Sequence, residues 1–261
     1  MVQAQFALRV AEIVKNDPEI IGLAVAGSWI TNEIDAYSDL DLILVTKEKV
    51  SDDKSRMIEY ARRFGNFLTG FTGEHVGEPR ALICLYDDPL LHIDIKFLTK
   101  DEFRTRIETP IILADTDEQL QHILQTSIPN FPYPDYQWIE DRFWIWMHYA
   151  LLKIGRGELF EALEFISYVR ITVLGPLLHI KNGNLPKGVR KIETMLEDDD
   201  LKALKATIAA HDKHSLMNAL EASVGLYRHL RLQLYDNDIV SFQTKTEEKV
   251  LHYLQEIKSQ L

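Results

Sequence analysis

Ser38-Asp39-Leu40-Asp41-Leu42 decides the fold, because its acid-apolar-acid-apolar alternation has the period of a strand. Successive strand side chains point to opposite faces, so Asp39 and Asp41 stand on one face while Leu40, Leu42 and Leu44 turn to a core. Bare carboxylates so close together repel. Hard divalent cations that bridge them to a polyanionic substrate reverse the sign of that interaction. The pair therefore reads as a two-ion magnesium site for a nucleoside triphosphate.

Upstream, Ile20-Ile21-Gly22-Leu23-Ala24-Val25-Ala26 reads as a buried strand that breaks at Gly27-Ser28, with Trp29-Ile30-Thr31-Asn32-Glu33 expected to start a short helix. Glycine lets backbone approach a phosphate, and free amides at a helix start attract anions, so Gly27 and Ser28 are the expected triphosphate ligands. A third acid lies in Leu91-His92-Ile93-Asp94-Ile95-Lys96-Phe97, whose strict alternation puts His92, Asp94 and Lys96 on one face. Paired beside the Asp39 strand, Asp94 would be a further metal ligand and the general base for an attacking hydroxyl.

Gly27, Ser28, Asp39, Asp41 and Asp94, in this order and with these gaps, resemble the nucleotidyltransferase superfamily built on the DNA polymerase beta palm. The motif covers roughly the first 100 residues. A small catalytic half followed by a helical half is most similar to the aminoglycoside and lincosamide antibiotic nucleotidyltransferases. The resemblance implies an α+β chain, with a mixed sheet and flanking helices in a polymerase beta-like domain at 1–128 and a helical substrate-binding bundle at 129–261. It also implies metal-dependent transfer of a nucleoside monophosphate, AMP from ATP, to a hydroxyl of a small acceptor such as an aminoglycoside or lincosamide, and so antibiotic resistance.

Composition narrows the partners. The chain has 261 residues, 46% of them hydrophobic and 26% charged, enough for two modest lobes. A net charge of -11 disfavours nucleic acid and anionic membranes, which need a basic surface, and suits a cationic or neutral acceptor. The single cysteine, Cys84, sits in the apolar run Ala81-Leu82-Ile83-Cys84-Leu85 and reads as a buried structural thiol in a reducing compartment. No secretory leader is recognised, and no apolar stretch is expected to reach the roughly 20 residues that span a bilayer. A cytoplasmic enzyme with access to ATP is the expectation.

Helical spacing of Phe6, Val10, Ile13 and Val14 predicts an opening helix stopped by Asp17-Pro18, and Val50, Met57, Ile58, Ala61 and Phe64 predict another that ends at Gly65-Asn66. Arg80–Tyr86 and Leu90–Leu98 read as strands of a hairpin turned by Asp87-Asp88-Pro89. Three prolines between Ile128 and Tyr136 mark the boundary between the halves. Beyond it, helical periodicity with breaks at Gly155, Gly157, Asn182-Gly183-Asn184, Glu197–Asp200 and Asp236-Asn237-Asp238 predicts about five helices. Asp198-Asp199-Asp200 reads as a solvated helix start.

Positive charge near a leaving pyrophosphate is expected from Lys187 and Arg190, ahead of Lys153, Arg156 and Arg170. Glu158 and Glu161 share a helix face and could meet a cationic acceptor. Two other functions compete: a nucleotide-binding regulatory or antitoxin-like module, and a HEPN-type ribonuclease suggested by Arg142 and His148. Six residues apart, those two side chains diverge by about 120° on a regular helix.

Overall fold

The computed structural model describes residues 1–236 and 238–261, and Asn237, part of the break expected at Asp236-Asn237-Asp238, lies outside the described residues. The chain divides into two compact units, Met1–Phe131 and Pro132–Leu261.

The first unit is built on a six-stranded sheet of order β3-β4-β5-β2-β1-β6. Its strands are β1 (Ile20–Val25), β2 (Leu40–Thr46), β3 (Phe67–Gly73), β4 (Glu78–Tyr86), β5 (Leu91–Leu98) and β6 (Ile111–Asp115). β2 runs parallel to β5 and all other pairs are antiparallel, so the sheet is mixed. Helices α1 (Val2–Val14) and α2 (Lys54–Phe64) seal one face, where Phe6, Val10, Met57 and Phe64 meet Leu40, Leu42, Leu44, Ile93 and Ile95. Asp53 caps α2 by accepting from the amides of Ser55 and Arg56. Cys84 belongs to this core, and burial pushes its thiol up to about 12, with the Asp94 charge adding to the effect.

The opposite face is covered only at one end within this unit. Helices α3 (Lys100–Arg104) and α4 (Gln119–Thr126) bring Phe103, Leu120 and Ile123 onto Ile21, Ala24, Val45 and Leu98. A Thr99–Glu102 capping box starts α3, and the Asp115 carboxylate accepts from the amides of Leu120 and Gln121 at the start of α4.

The second unit is helical: α5 (Tyr136–Arg156), α6 (Leu159–Val169), α7 (Gly175–Lys181), a single turn α8 (Ile192–Met195), α9 (Asp198–Lys205), α10 (Lys213–Leu234) and α11 (Thr244–Ser259). A wide π turn at Arg170–Leu174 joins α6 to α7, so they form one continuous helix. Leu159–Lys181 has the length and hydropathy of a membrane-spanning segment, contrary to the expectation that none would, and half of its apolar window is buried within the unit, as in a core helix. Asp200 also departs from expectation. It is buried, and accepts from Lys181 Nζ at 2.5 Å and Asn182 Nδ2 at 2.8 Å, tying α9 to the end of α7 where a solvated helix start was expected.

At the centre of this bundle Glu140 is fully buried and accepts from Trp144 Nε1, Tyr227 OH, an Arg231 guanidinium nitrogen and the Gln243 amide at 2.5–3.2 Å. Arg231 also donates to Glu247 at 2.6 Å. Every charge in the cluster therefore has a partner, the condition under which buried ions are tolerated.

Candidate active site

Asp39 immediately precedes β2, and Asp41 is its second residue. Leu40, Leu42 and Leu44 are at most 2% exposed while Asp41 is half-buried, so the expected alternation holds at the start of the strand. Because β2 and β5 are parallel, Asp41 lies directly beside Asp94 in register. Asp94 in turn pairs with Ile83 and Ile83 with Phe71, so one cross-sheet row reads Asp41, Asp94, Ile83, Phe71 on the face that α1 and α2 do not cover.

Burial raises the pKa of Asp94, and the nearby Asp39 charge pushes the same way, while His92 acts in the opposite direction. His92 Nε2 stands 3.1 Å from Asp94 Oδ1. Lys96, next along the same face, is held by Glu78 at 2.5 Å, and Arg80 grips Glu78 through two nitrogens at 2.7 and 2.8 Å. The Lys96 charge is thus already answered inside the sheet.

The expected helix at Trp29–Glu33 is not formed. A single 3-10 turn, Gly27–Trp29, takes its place, and Asn32 has a φ of +56° that an α-helix does not accommodate. Gly27 itself has a φ of +64°, and a β-carbon built there would lie 1.9 Å from Asp41 Oδ2. Glycine is needed at this position both for its backbone conformation and for its contact with the acid. The Gly27 amide donates to Glu108 Oε1 at 3.1 Å, the Ala26 amide donates to the Asp41 carbonyl at 3.0 Å, and Ser28 follows, half-buried.

The loop into Asp39 is braced from α1. Gln3 Nε2 donates to the carbonyls of Asp35 and Ser38, each at 3.0 Å, and the Asp35 carboxylate accepts from the Tyr37 amide at 2.8 Å and the Ser38 hydroxyl at 3.0 Å. These contacts set where β2 begins and hence where its acids stand.

Among the described residues no three His, Cys, Asp or Glu side chains are clustered tightly enough to hold a metal ion. The donor chemistry of Asp39, Asp41 and Asp94 nonetheless suits magnesium, since all offer hard carboxylate oxygens and Asp94 is raised in pKa by burial and by Asp39.

Lys187 and Arg190 are exposed in the second unit, around Gly188 with its φ of +64°. Lys153 binds Glu158 at 2.7 Å and Glu161 at 3.0 Å, Arg156 approaches Glu158 at 3.8 Å, and Arg170 donates to Thr207. Glu158 and Glu161 are occupied by the same Lys153. Arg142 lies over the Trp138 ring and donates to the Trp138 carbonyl, whereas His148 packs on Tyr253. The two residues of the ribonuclease-like motif are thus committed to different partners.

Glu108, His92 and Gln3 were not among the expected site residues. His92 had a legible signal, its place on the alternating face. Glu108 had none, being 81 positions from the amide it meets.

The chain is similar to the aminoglycoside 6-adenyltransferase of Bacillus subtilis, at 16% identity over 98% of each chain with a TM-score of 0.43. It is similar to the spectinomycin adenyltransferase AAD(9) of Enterococcus faecialis, solved with ATP and spectinomycin, at 14% identity over 98% of each chain with a TM-score of 0.29. A nucleotidyltransferase-like protein from Exiguobacterium sibiricum 255-15 matches at 14% identity over 89% of this chain and 76% of that one, with a TM-score of 0.37. Among curated proteins no sequence matches. The family model described as streptomycin adenylyltransferase matches residues 2–257, and the chain accordingly belongs to that family of nucleotidyltransferase enzymes.

Proposed function

We propose that the protein transfers AMP from ATP to a hydroxyl of an aminoglycoside antibiotic of the streptomycin kind. The observation that carries this reading is the in-register pairing of Asp41 with Asp94 on parallel strands, backed by Gly27 against the Asp41 carboxylate. Asp94 takes the acceptor hydroxyl proton. Its half-buried carboxylate, beside Asp41 in register, is the acceptor for that proton. Gly27 and Ser28 line the triphosphate, with the amide that Glu108 holds here released to a phosphate oxygen. Asp39, Asp41 and Asp94 would hold two magnesium ions, which when bound screen the triphosphate and the departing pyrophosphate.

In this reading the first unit, 1–128 by the sequence boundary, is catalytic and the helical unit, 129–261, binds substrate. The acidic balance of -11 favours a cationic acceptor. A cytoplasmic location, where ATP is available, goes with it.

The test is pyrophosphate release from ATP and magnesium in the presence of streptomycin. The wild type should release it, and Asp41→Asn should lose at least about a thousandfold in kcat with an unchanged circular dichroism spectrum. Full activity in the purified Asp41→Asn protein would overturn the site assignment. ATP binding without turnover for any acceptor would move the assignment to a nucleotide-binding regulator.

A further inference from the structure

The outward face of β4 is apolar where an antiparallel strand with one solvated side is usually polar. Ala81-Leu82-Ile83-Cys84-Leu85-Tyr86 shows no alternation: Leu82, Cys84 and Tyr86 enter the core with α1 and α2, while Ala81, Ile83 and Leu85 stand half-buried on the other face. Its neighbour β5 does alternate, so the run is particular to β4. A strand that is apolar on both sides is normally covered on both. Ala81, Ile83, Leu85 and Phe71, the partner of Ile83 on β3, nonetheless belong to none of the hydrophobic cores among the described residues, and Phe71 is 49% exposed.

Strand order indicates the occupant. From the Gly27 turn after β1, the sheet passes through Asp41 on β2 and Asp94 on β5 to Ile83 on β4 and Phe71 on β3. In transfer at phosphorus the attacking and leaving oxygens lie roughly in line, on opposite sides of the reacting atom. With the triphosphate on Gly27 and Ser28, pyrophosphate departs toward β1, and the hydroxyl that gives its proton to Asp94 arrives from the other side, across β4 and β3. Neighbouring strands lie about 4.8 Å apart, so Phe71 stands roughly 10 Å beyond Asp94, a span that one ring over Ile83 and its neighbour over Phe71 can fill.

The chemistry of the surface agrees. Lys96, beside Ala81, has its charge answered by Glu78, so the shelf itself presents aliphatic groups and one aromatic ring. Aliphatic side chains suit the C–H face of a saturated ring, and the face of a phenyl ring attracts a cation. An amino- or guanidino-substituted sugar offers both.

We propose that Ala81, Ile83, Leu85 and Phe71 form the first unit's shelf for the acceptor, with Phe71 the specificity-determining residue that holds a cationic ring beyond the one reacting at Asp94. The assignment rests on the adenylyl-transfer reading, from which the direction of approach is drawn.

Phe71→Ala removes the ring from the shelf, and Leu68→Ala, equally exposed on the same strand but outside the row, is its control. Calorimetric titration with streptomycin, without nucleotide, is expected to show binding at least about fivefold weaker for Phe71→Ala and unchanged for Leu68→Ala. In turnover, Phe71→Ala should raise the KM for streptomycin by a similar factor and leave the KM for ATP unchanged, while Phe71→Tyr, which keeps the ring, should behave as wild type. A Phe71→Ala protein that binds streptomycin as wild type does, or a wild type that does not bind it, overturns the proposal. Equal rises in both KM values with a lower melting temperature would also overturn it, since the shelf would then be a packing surface of the fold. Streptomycin binding that depends on Phe71 without pyrophosphate release from ATP would uphold the shelf and overturn the adenylyl-transfer reading alone.

Discussion

Gly27 and Asp41 are in such close contact that the space where a side chain on Gly27 would begin is already filled by the Asp41 carboxylate, 1.9 Å from the ideal β-carbon position. Gly27→Ala must therefore push that acid out of place. It must also hold alanine at a φ of +64°, which costs about 1–2 kcal/mol for an L-residue. The expected outcome is a kcat loss of at least about a hundredfold with a melting temperature lower by only a few degrees. Steady-state kinetics beside a thermal melt will show it. An active Gly27→Ala protein would mean that the Asp41 position is not critical.

Glu108 accepts from the amide assigned to the triphosphate, so an internal carboxylate and the substrate compete for one donor. Glu108→Ala removes that competitor and a negative charge. ATP should bind about 2–10 fold more tightly, the worth of one ordinary hydrogen bond. Equilibrium binding of ATP to wild type and variant decides the point. Weaker binding would show instead that Glu108 helps to hold the nucleotide.

The helical unit is predicted to fail first at its buried charges. Arg231→Met leaves Glu140 without its cation and Glu247 without one of its two arginines, Arg228 being the other. Breaking a buried pair from one side costs about 3–5 kcal/mol. Urea denaturation should register that loss, and adding Glu140→Gln should recover part of it by discharging the stranded anion. A cost below about 1 kcal/mol would contradict the view of this cluster as the bundle's anchor.

Burial pushes the Glu78 carboxyl upward, but hydrogen bonds and charge from Arg80 and Lys96 outweigh it and hold it at about 2, below its ordinary 4.5. A depressed carboxylate stabilises the fold fully above its unfolded pKa and loses that contribution as pH falls toward the folded one. The stability gap between wild type and Glu78→Gln should therefore be constant at pH 6–8, begin to shrink near pH 4.5 and vanish near pH 2. Melting temperatures across that series test the sign. A gap that widened on acidification would contradict the assignment.

How much of this could be read from the chain differs between elements. β5 was legible because Leu91 to Phe97 alternates without a break, and its hairpin with β4 was marked by Asp87-Asp88-Pro89. β3 was not, since Phe67-Leu68-Thr69-Gly70-Phe71-Thr72-Gly73 carries two glycines and leaves Leu68 and Phe71 half exposed at the sheet edge. β6 was not, because five residues are too few to show a period. The turn after Gly27 was read as a helix start because its residues permit one, while Asn32, whose side chain tolerates left-handed backbone, ends it. Asp39, Asp41 and Asp94 were proposed from strand spacing and motif order, and the structure sets Asp41 beside Asp94. The contacts of Glu108 and Gln3 join distant segments, and no local pattern encodes those.

The Glu78 clamp on Lys96 makes the sheet of the first unit an electrostatic half-circuit. Asp41 and Asp94 present carboxylates on adjoining strands, while Lys96, two residues beyond Asp94 on β5, is spent on a neighbouring glutamate. Under the proposed reaction, the countercharge for a departing pyrophosphate would then have to come from bound ions rather than from this lysine.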